Sequence, residues 1–168
     1  FLSIRNPELM NIPRKLKLEL PSIIIKISQL IKDKYGYFPK LLCHDQRDIS
    51  FASSFENLEF FYTSDIYEYL QLLKNAKLVI SMRIHATLPC LSYGTPVINL
   101  SYDERAKSLM ETIGFGEWDL NLVLDQKDAL EIINKRLNNL NKLHSLRNEN
   151  ANIWEEFKEI QFEALKIF

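Results

Sequence analysis

Short apolar runs rich in β-branched and aromatic residues recur along the chain, separated by stretches of helical periodicity. The runs are FLSIR (1–5), KLLCH (40–44), LEFFY (58–62), LVIS (78–81) and PVINL (96–100), each of a length that suits a buried strand. Between the first two, residues 21–36 place Ile24, Ile27, Leu30 and Ile31 on one face of a helix that closes near Gly36. Asp45 is positioned to cap a helix over 45–55. Ser64 is positioned to cap one over 64–76, where Ile66, Leu70 and Leu73 carry the stripe. A further helix ends at Gly94, and another runs from its N-cap, Asp103, to Gly114. Asn6-Pro7 ends the first run, and Pro96 opens the fifth, where a missing N–H does little harm.

Strands alternating with helices predict an α/β fold, a Rossmann-like doubly wound parallel sheet of order 3-2-1-4-5. A sixth short strand fits over 119–123. The pattern changes from Asp125 onward. Leu130, Ile133, Leu137 and Leu140 form one helical stripe and Ile153, Trp154, Phe157 and Ile160 another, predicting two helices with a break within 143–152. The expected organisation is a Rossmann-like domain over 1–124, with 125–168 as carboxyl-terminal helices packed on it. The chain starts on a strand already under way and not on Met, and is expected to be one half of a larger enzyme.

Composition narrows the function classes. The 168 residues carry a net charge of −1 and are 46% hydrophobic, which suits one globular core and offers no basic stripe for nucleic acid. The most apolar segment, around residues 22–31, is broken by Lys26 and is too short to span a membrane. Cys43 and Cys90 form no CxxC pair and read as buried thiols in a reducing, cytoplasmic setting. His44, His85 and His144 lack metal-ligand spacing, so no structural zinc is expected. Gly36, Gly94, Gly114 and Gly116 are the only glycines. None follows a strand in the pattern that brings backbone amides to phosphates, which sets aside dinucleotide dehydrogenases and P-loop NTPases.

In a parallel sheet all carboxyl ends share one edge. Arg5, His44, Tyr62, Arg83, His85, Tyr102 and Asp103 lie at or just beyond those ends, so they are predicted to cluster. Arg83 offers a planar fork for phosphate or carboxylate, and His85 a group that moves a proton near neutral pH. Both are expected to reach solvent in one crevice. The competing reading is an Arg paired with a neighbouring acid and a His capping a helix. Pro89 requires either a helix start near Thr87 or a kink, leaving amides around His85 and Ala86 free. Arg5 reads equally as a second anion clamp or a surface ion pair. Asp45 and Asp103 are well explained as caps.

The stretch LVISMRIHATLPCLSYGTPVINLSYDERAKSLMETIGF (78–115) resembles the carboxyl-terminal half of the polysaccharide pyruvyl transferase family. The family pattern is a strand, S-M-R-[LI]-H, an apolar helix, G-x-P-[VI], a strand, S-Y-D-x-K and a helix ending x-G-[LF]. Ser81, Met82, Arg83, Ile84, His85, Gly94, Pro96, Ser101, Tyr102, Asp103 and Gly114 match it. Arg105 stands in place of the usual Lys, and Pro89 interrupts a helix that is usually plain. The resemblance implies a glycosyltransferase-B-like enzyme of two facing Rossmann-like halves. This chain would be the second half, inactive without the amino-terminal domain.

The implied reaction transfers a pyruvyl group from phosphoenolpyruvate to two hydroxyls of a glycan or lipid-linked saccharide, forming a ketal on a surface polysaccharide. Arg83 and His85 take the catalytic positions. Arg5, His44, Ser81, Tyr102, Asp103 and Arg105 are the expected substrate-binding residues, with no metal and no cofactor beyond the donor substrate. Two alternatives remain. One is a nucleotide-sugar glycosyltransferase or epimerase half-domain, although Glu104 and Glu111 are seven apart and not the eight such a site uses. The other is a non-catalytic glycan-binding module.

Overall fold

The computed structural model describes residues 1–165. β1 (Leu2–Ile4), β2 (Leu41–Cys43), β3 (Phe60–Tyr62), β4 (Val79–Ser81), β5 (Val97–Ser101) and β6 (Leu120–Asn121) form one sheet of order β3-β2-β1-β4-β5-β6. Every pairing is parallel. The predicted order is therefore found, together with the sixth strand. Chain order reverses between β1 and β4, where Leu2 lies opposite Ile80 and Ser3 opposite Ser81. In open parallel sheets the crevice for a ligand lies beyond the carboxyl ends of the strands at such a reversal.

Eight α-helices cover the sheet among the described residues: α1 (Arg14–Tyr35), α2 (Ile49–Ala52), α3 (Ile66–Asn75), α4 (Ile84–Tyr93), α5 (Glu104–Thr112), α6 (Ala129–Leu137), α7 (Leu140–Glu149) and α8 (Ala151–Leu165). Alternation along the strands divides the core in two. Leu2, Ile4, Leu41, Cys43, Ile80, Ile98 and Leu100 face α1 and α6. Leu42, Val79 and Val97 face Tyr69 and Leu73 of α3, Cys90 and Leu91 of α4, and Met110 of α5. Ser3, Ser81, Asn99 and Ser101 are buried polar residues that alternate with the first set along their strands. One face of the sheet is thus apolar and the other partly polar.

Several boundaries differ from the sequence expectation, each for a physical reason. α1 begins at Arg14, with Pro21 inside it. Leu16 and Leu20 continue the stripe of Ile23, Ile24, Ile27 and Ile31, and their burial outweighs the one backbone bond that Pro21 cannot donate. The helix expected over 45–55 shrinks to a 3-10 turn, Gln46–Asp48, and the single turn of α2. Ser53 and Ser54 end it by donating hydroxyls back to the carbonyls of Ser50 and Phe51. Asp65, not Ser64, caps α3, accepting from the amides of Tyr67 and Glu68.

Beyond β6 there are three helices where two were expected. The break at Asn150 lies in the expected stretch, whereas the break at 138–139 was not foreseen. Ile133 and Leu137 belong to one side of the core and Leu143 to the other. The chain has to change faces between them, and no continuous helix does so. Trp154 of α8 sets its ring edge-on to Phe115 at 6.3 Å and 83°, while Phe157 stays exposed. The helical tail expected over 125–168 is described to residue 165, and 166–168 lie outside the described residues.

Phe115 is fully buried and Tyr67 is 79% exposed. Replacing Phe115 with Ala is expected to remove about 3–5 kcal/mol of stability in urea unfolding, whereas Tyr67→Ala should change it by less than about 0.5 kcal/mol.

Candidate functional site

β4 ends at Ser81 and the chain turns through Met82 and Arg83 into α4. The Met82 amide still donates to the Ser3 carbonyl at 2.9 Å. The Ser81 hydroxyl accepts from the Arg83 amide at 3.0 Å and donates to the Arg83 carbonyl at 2.8 Å, which locks the turn. Ser81 is fully buried, so it positions Arg83 and presents no surface to a ligand.

Arg83 points back across β1. Its Nε donates to the Ile4 carbonyl at 3.3 Å, and its Nη2 pairs with Asp48 Oδ2. Asp48 is 0% exposed and Arg83 is 7% exposed. Asp48 also accepts from the amides of Asn6 at 2.9 Å and Asp45 at 3.2 Å, so both its oxygens are paired. One carboxylate thereby ties together the turns after β1, β2 and β4. The expectation that Arg83 and His85 both reach solvent holds fully for His85 and only marginally for Arg83. Asp48, which the sequence reading left unassigned in a helical stripe, draws Arg83 inward. Its signal was the D-x-x-D spacing of a capping box, which the structure contains.

His85 is exposed in the first turn of α4. Its ring stacks on His44, which follows β2, at 5.6 Å between centroids and 19° between planes. Tyr69 of α3 also meets His44, edge-on at 5.1 Å and 79°. Burial, reinforced by Arg83 and His85, pushes the His44 imidazole below its ordinary pKa, so it is neutral at neutral pH. His44 Nδ1 is closed off without a partner among the described residues. α4 starts at Ile84 and not near Thr87, with Pro89 inside it. The Ala86 amide is not free, since it donates to the Arg83 carbonyl at 2.9 Å. Pro89 has no N–H to give the His85 carbonyl, which leaves that oxygen at the site.

The other expected residues spread along the same edge. Arg5 is half-buried and donates to the Leu9 carbonyl at 3.1 Å, with no carboxylate partner among the described residues. Tyr62 and Tyr102 pack against the apolar core. Asp103 caps α5 through the Ala106 amide at 2.9 Å and holds the exposed Arg105 at 3.2 Å. This trio lies just beyond the end of β5. A further buried network went unread: Thr87 donates to Asn99 at 2.6 Å, and Asn99 and Ser101 both donate to Asp119, at 2.6 and 2.5 Å. Its signal was a polar residue inside an apolar run, as with Asn99 in PVINL, because such a group is buried only with a partner. A cavity of about 660 Å³ lies at the opposite edge, between Ile27, Ile31, Tyr35, Phe38, Leu78 and Leu140. It is apolar and contains none of the expected site residues.

A family model described as polysaccharide pyruvyl transferase matches residues 3–104, more than half of the chain. The match runs from β1 to the first residue of α5 and includes Arg5, His44, Asp48, Arg83 and His85. No curated protein and no solved structure matches the chain significantly.

Removing Asp48 would leave the Arg83 guanidinium buried and unpaired. Asp48→Ala is therefore expected to lower stability by about 3–5 kcal/mol, read from denaturant midpoints. Burial, with Asp48 nearby, pushes the Cys43 thiol up to about 11, and burial pushes Cys90 up to about 12. Both are free thiols. Neither should react with an aromatic disulfide reagent at neutral pH until the protein unfolds, when both should react.

Proposed function

The chain belongs to the polysaccharide pyruvyl transferase family, and we propose that it uses phosphoenolpyruvate to build a pyruvate ketal on two hydroxyls of a glycan or lipid-linked saccharide. The observation that carries this reading is the S-M-R-I-H turn, which lies inside the matched span and sets an exposed His85 at the carboxyl edge beside the switch point of the sheet. Phosphoenolpyruvate carries a phosphate and a carboxylate and requires more than one cationic or N–H contact. Arg5 has no carboxylate partner among the described residues, and Arg83 spends only Nε and Nη2 on protein groups. The amides of Ile84 and His85, at the start of a ten-residue helix, point their positive dipole end at the same edge.

His85 in this reading moves the proton that ketal formation requires. Arg83 holds the donor through the nitrogen that Asp48 and Ile4 leave unused. The reaction needs no cofactor beyond the donor itself. The free, buried thiols support a reducing compartment, and we assign the reaction to the cytoplasm. A facing domain would supply the acceptor contacts and exclude water from the reacting centre.

Phosphate release from phosphoenolpyruvate should depend on a glycan acceptor when the full-length protein is assayed against an acceptor panel. Consumption of a nucleotide sugar in its place would overturn the reading. His85→Asn should lower kcat by about 10²–10⁴-fold with little change in donor affinity. Arg83→Lys should chiefly raise KM for the donor, since a lysine cannot reproduce the fork. The chain taken alone should melt cooperatively and show no turnover, because every candidate residue comes from one open edge.

A further inference from the structure

We propose that His44 and His85 act as one two-imidazole unit, in which His44 takes a proton from an attacking sugar hydroxyl and His85 delivers one to the methylene carbon of the donor. The assignment rests on the phosphoenolpyruvate reading above. Its basis is geometric. The two rings follow the strands on either side of β1, and they stack at 5.6 Å and 19°. The Asp48–Arg83 pair ties the turns that carry them. Tyr69 buttresses His44 edge-on. Of the two His44 nitrogens only Nδ1 is closed off, which leaves Nε2 to work.

The charged and titratable groups around His44 favour the acceptor role. Asp45 and Asp48 on its own loop favour its cation, whereas Arg83 and His85 from the β4–α4 turn oppose it. Tyr69 on α3 is pushed up by burial and stays protonated, as does the neighbouring Cys43. Burial decides the balance, and His44 rests neutral. Two imidazolium ions this close would repel, so His85 adds to burial in holding His44 neutral. A neutral ring beside a protonated one is the state that a proton acceptor and a proton donor need.

The proton inventory of ketal formation matches two such groups. Two C–O bonds form at C2 of the donor, its bond to the phosphate oxygen breaks, and no oxidant is involved. Two hydroxyl protons leave the sugar; net, one ends on the methylene carbon, making it a methyl group, and one on the released phosphate. His85 protonates the methylene carbon as the first hydroxyl attacks C2 and gives its proton to His44. His44 passes that proton to the departing phosphate. The second hydroxyl then closes the ketal and returns a proton to His85, so both rings end as they began.

The test uses the full-length protein. His44→Phe keeps an aromatic ring against His85 and Tyr69 but removes the nitrogens. Its kcat should fall by about 10²–10³-fold, while KM for phosphoenolpyruvate stays within about threefold. The acidic limb of the kcat–pH profile, which in the wild type marks protonation of His44 below the usual imidazole range, should disappear. Independently of turnover, the His44 ring titration followed by NMR should move to higher pH in His85→Phe, because a neighbouring cation is lost. Unchanged kcat and acidic limb in His44→Phe would overturn the proposal. A wild-type enzyme that releases phosphate while its His44 midpoint ignores His85→Phe would overturn the pairing alone. Coupled titration without any phosphate release would overturn the donor chemistry and, with it, the proton roles assigned here.

Discussion

The buried pair between Arg83 and Asp48 is the constraint on which the carboxyl edge of the sheet depends. Taking both charges out of water is unfavourable, and mutual attraction offsets that only where the remaining hydrogen-bonding capacity is matched. Here the Asn6 and Asp45 amides match the carboxylate and the Ile4 carbonyl takes the guanidinium Nε, leaving Nη1 over. Those partners come from the turns after β1 and β2, while Arg83 comes from the turn after β4. Three loops that would otherwise move independently are held to one geometry. The stacking of His44 on His85 follows, because each ring sits within a few residues of one end of the pair.

The polar face of the sheet continues the same theme. Ser81 locks the Arg83 turn, and Thr87, one helical turn beyond Arg83, bonds to Asn99 of β5. Asn99 and Ser101 share Asp119, which leads into β6. α4 is thus fixed to the sheet by directed bonds at the end that carries His85. Its other end closes at Gly94, whose φ of +77° no side chain adopts easily and where an added Cβ would lie 2.5 Å from the Arg147 guanidinium. α7 therefore packs against the end of α4 remote from the site. The apolar face, by contrast, is held by non-directional burial of α1 and α6.

The family match ends at the first residue of α5, so the edge bearing the histidines lies within the matched span and the helices after β6 lie outside it. Those helices still bear on the edge. Arg136 of α6 donates to the carbonyls of Glu117 and Asp119, reinforcing the segment whose carboxylate holds Asn99 and Ser101. The polar network that steadies α4 therefore leans on the part of the chain beyond the family match.

Hydrophobic periodicity alone determined the parallel α/β class, the strand order and the edge on which Arg5, His44, Arg83 and His85 fall, because strand direction follows from alternation with helices. It also located Asp103 and Asp45 as caps and Gly36, Gly94 and Gly114 as helix stops, all local matters settled within a few residues. Tertiary structure decided the rest. Whether Arg83 faces solvent depended on a carboxylate 35 residues away in sequence, and Asp48 reads in isolation like any polar position on a short helix. The stacking of two histidines from different strands, and the break at 138–139 where the chain changes faces, likewise depend on partners distant in the chain. Local pattern records how a segment meets its own neighbours; it carries no record of which distant charge or ring will stand opposite, and that partner determined which site residues were drawn inward and which were left exposed.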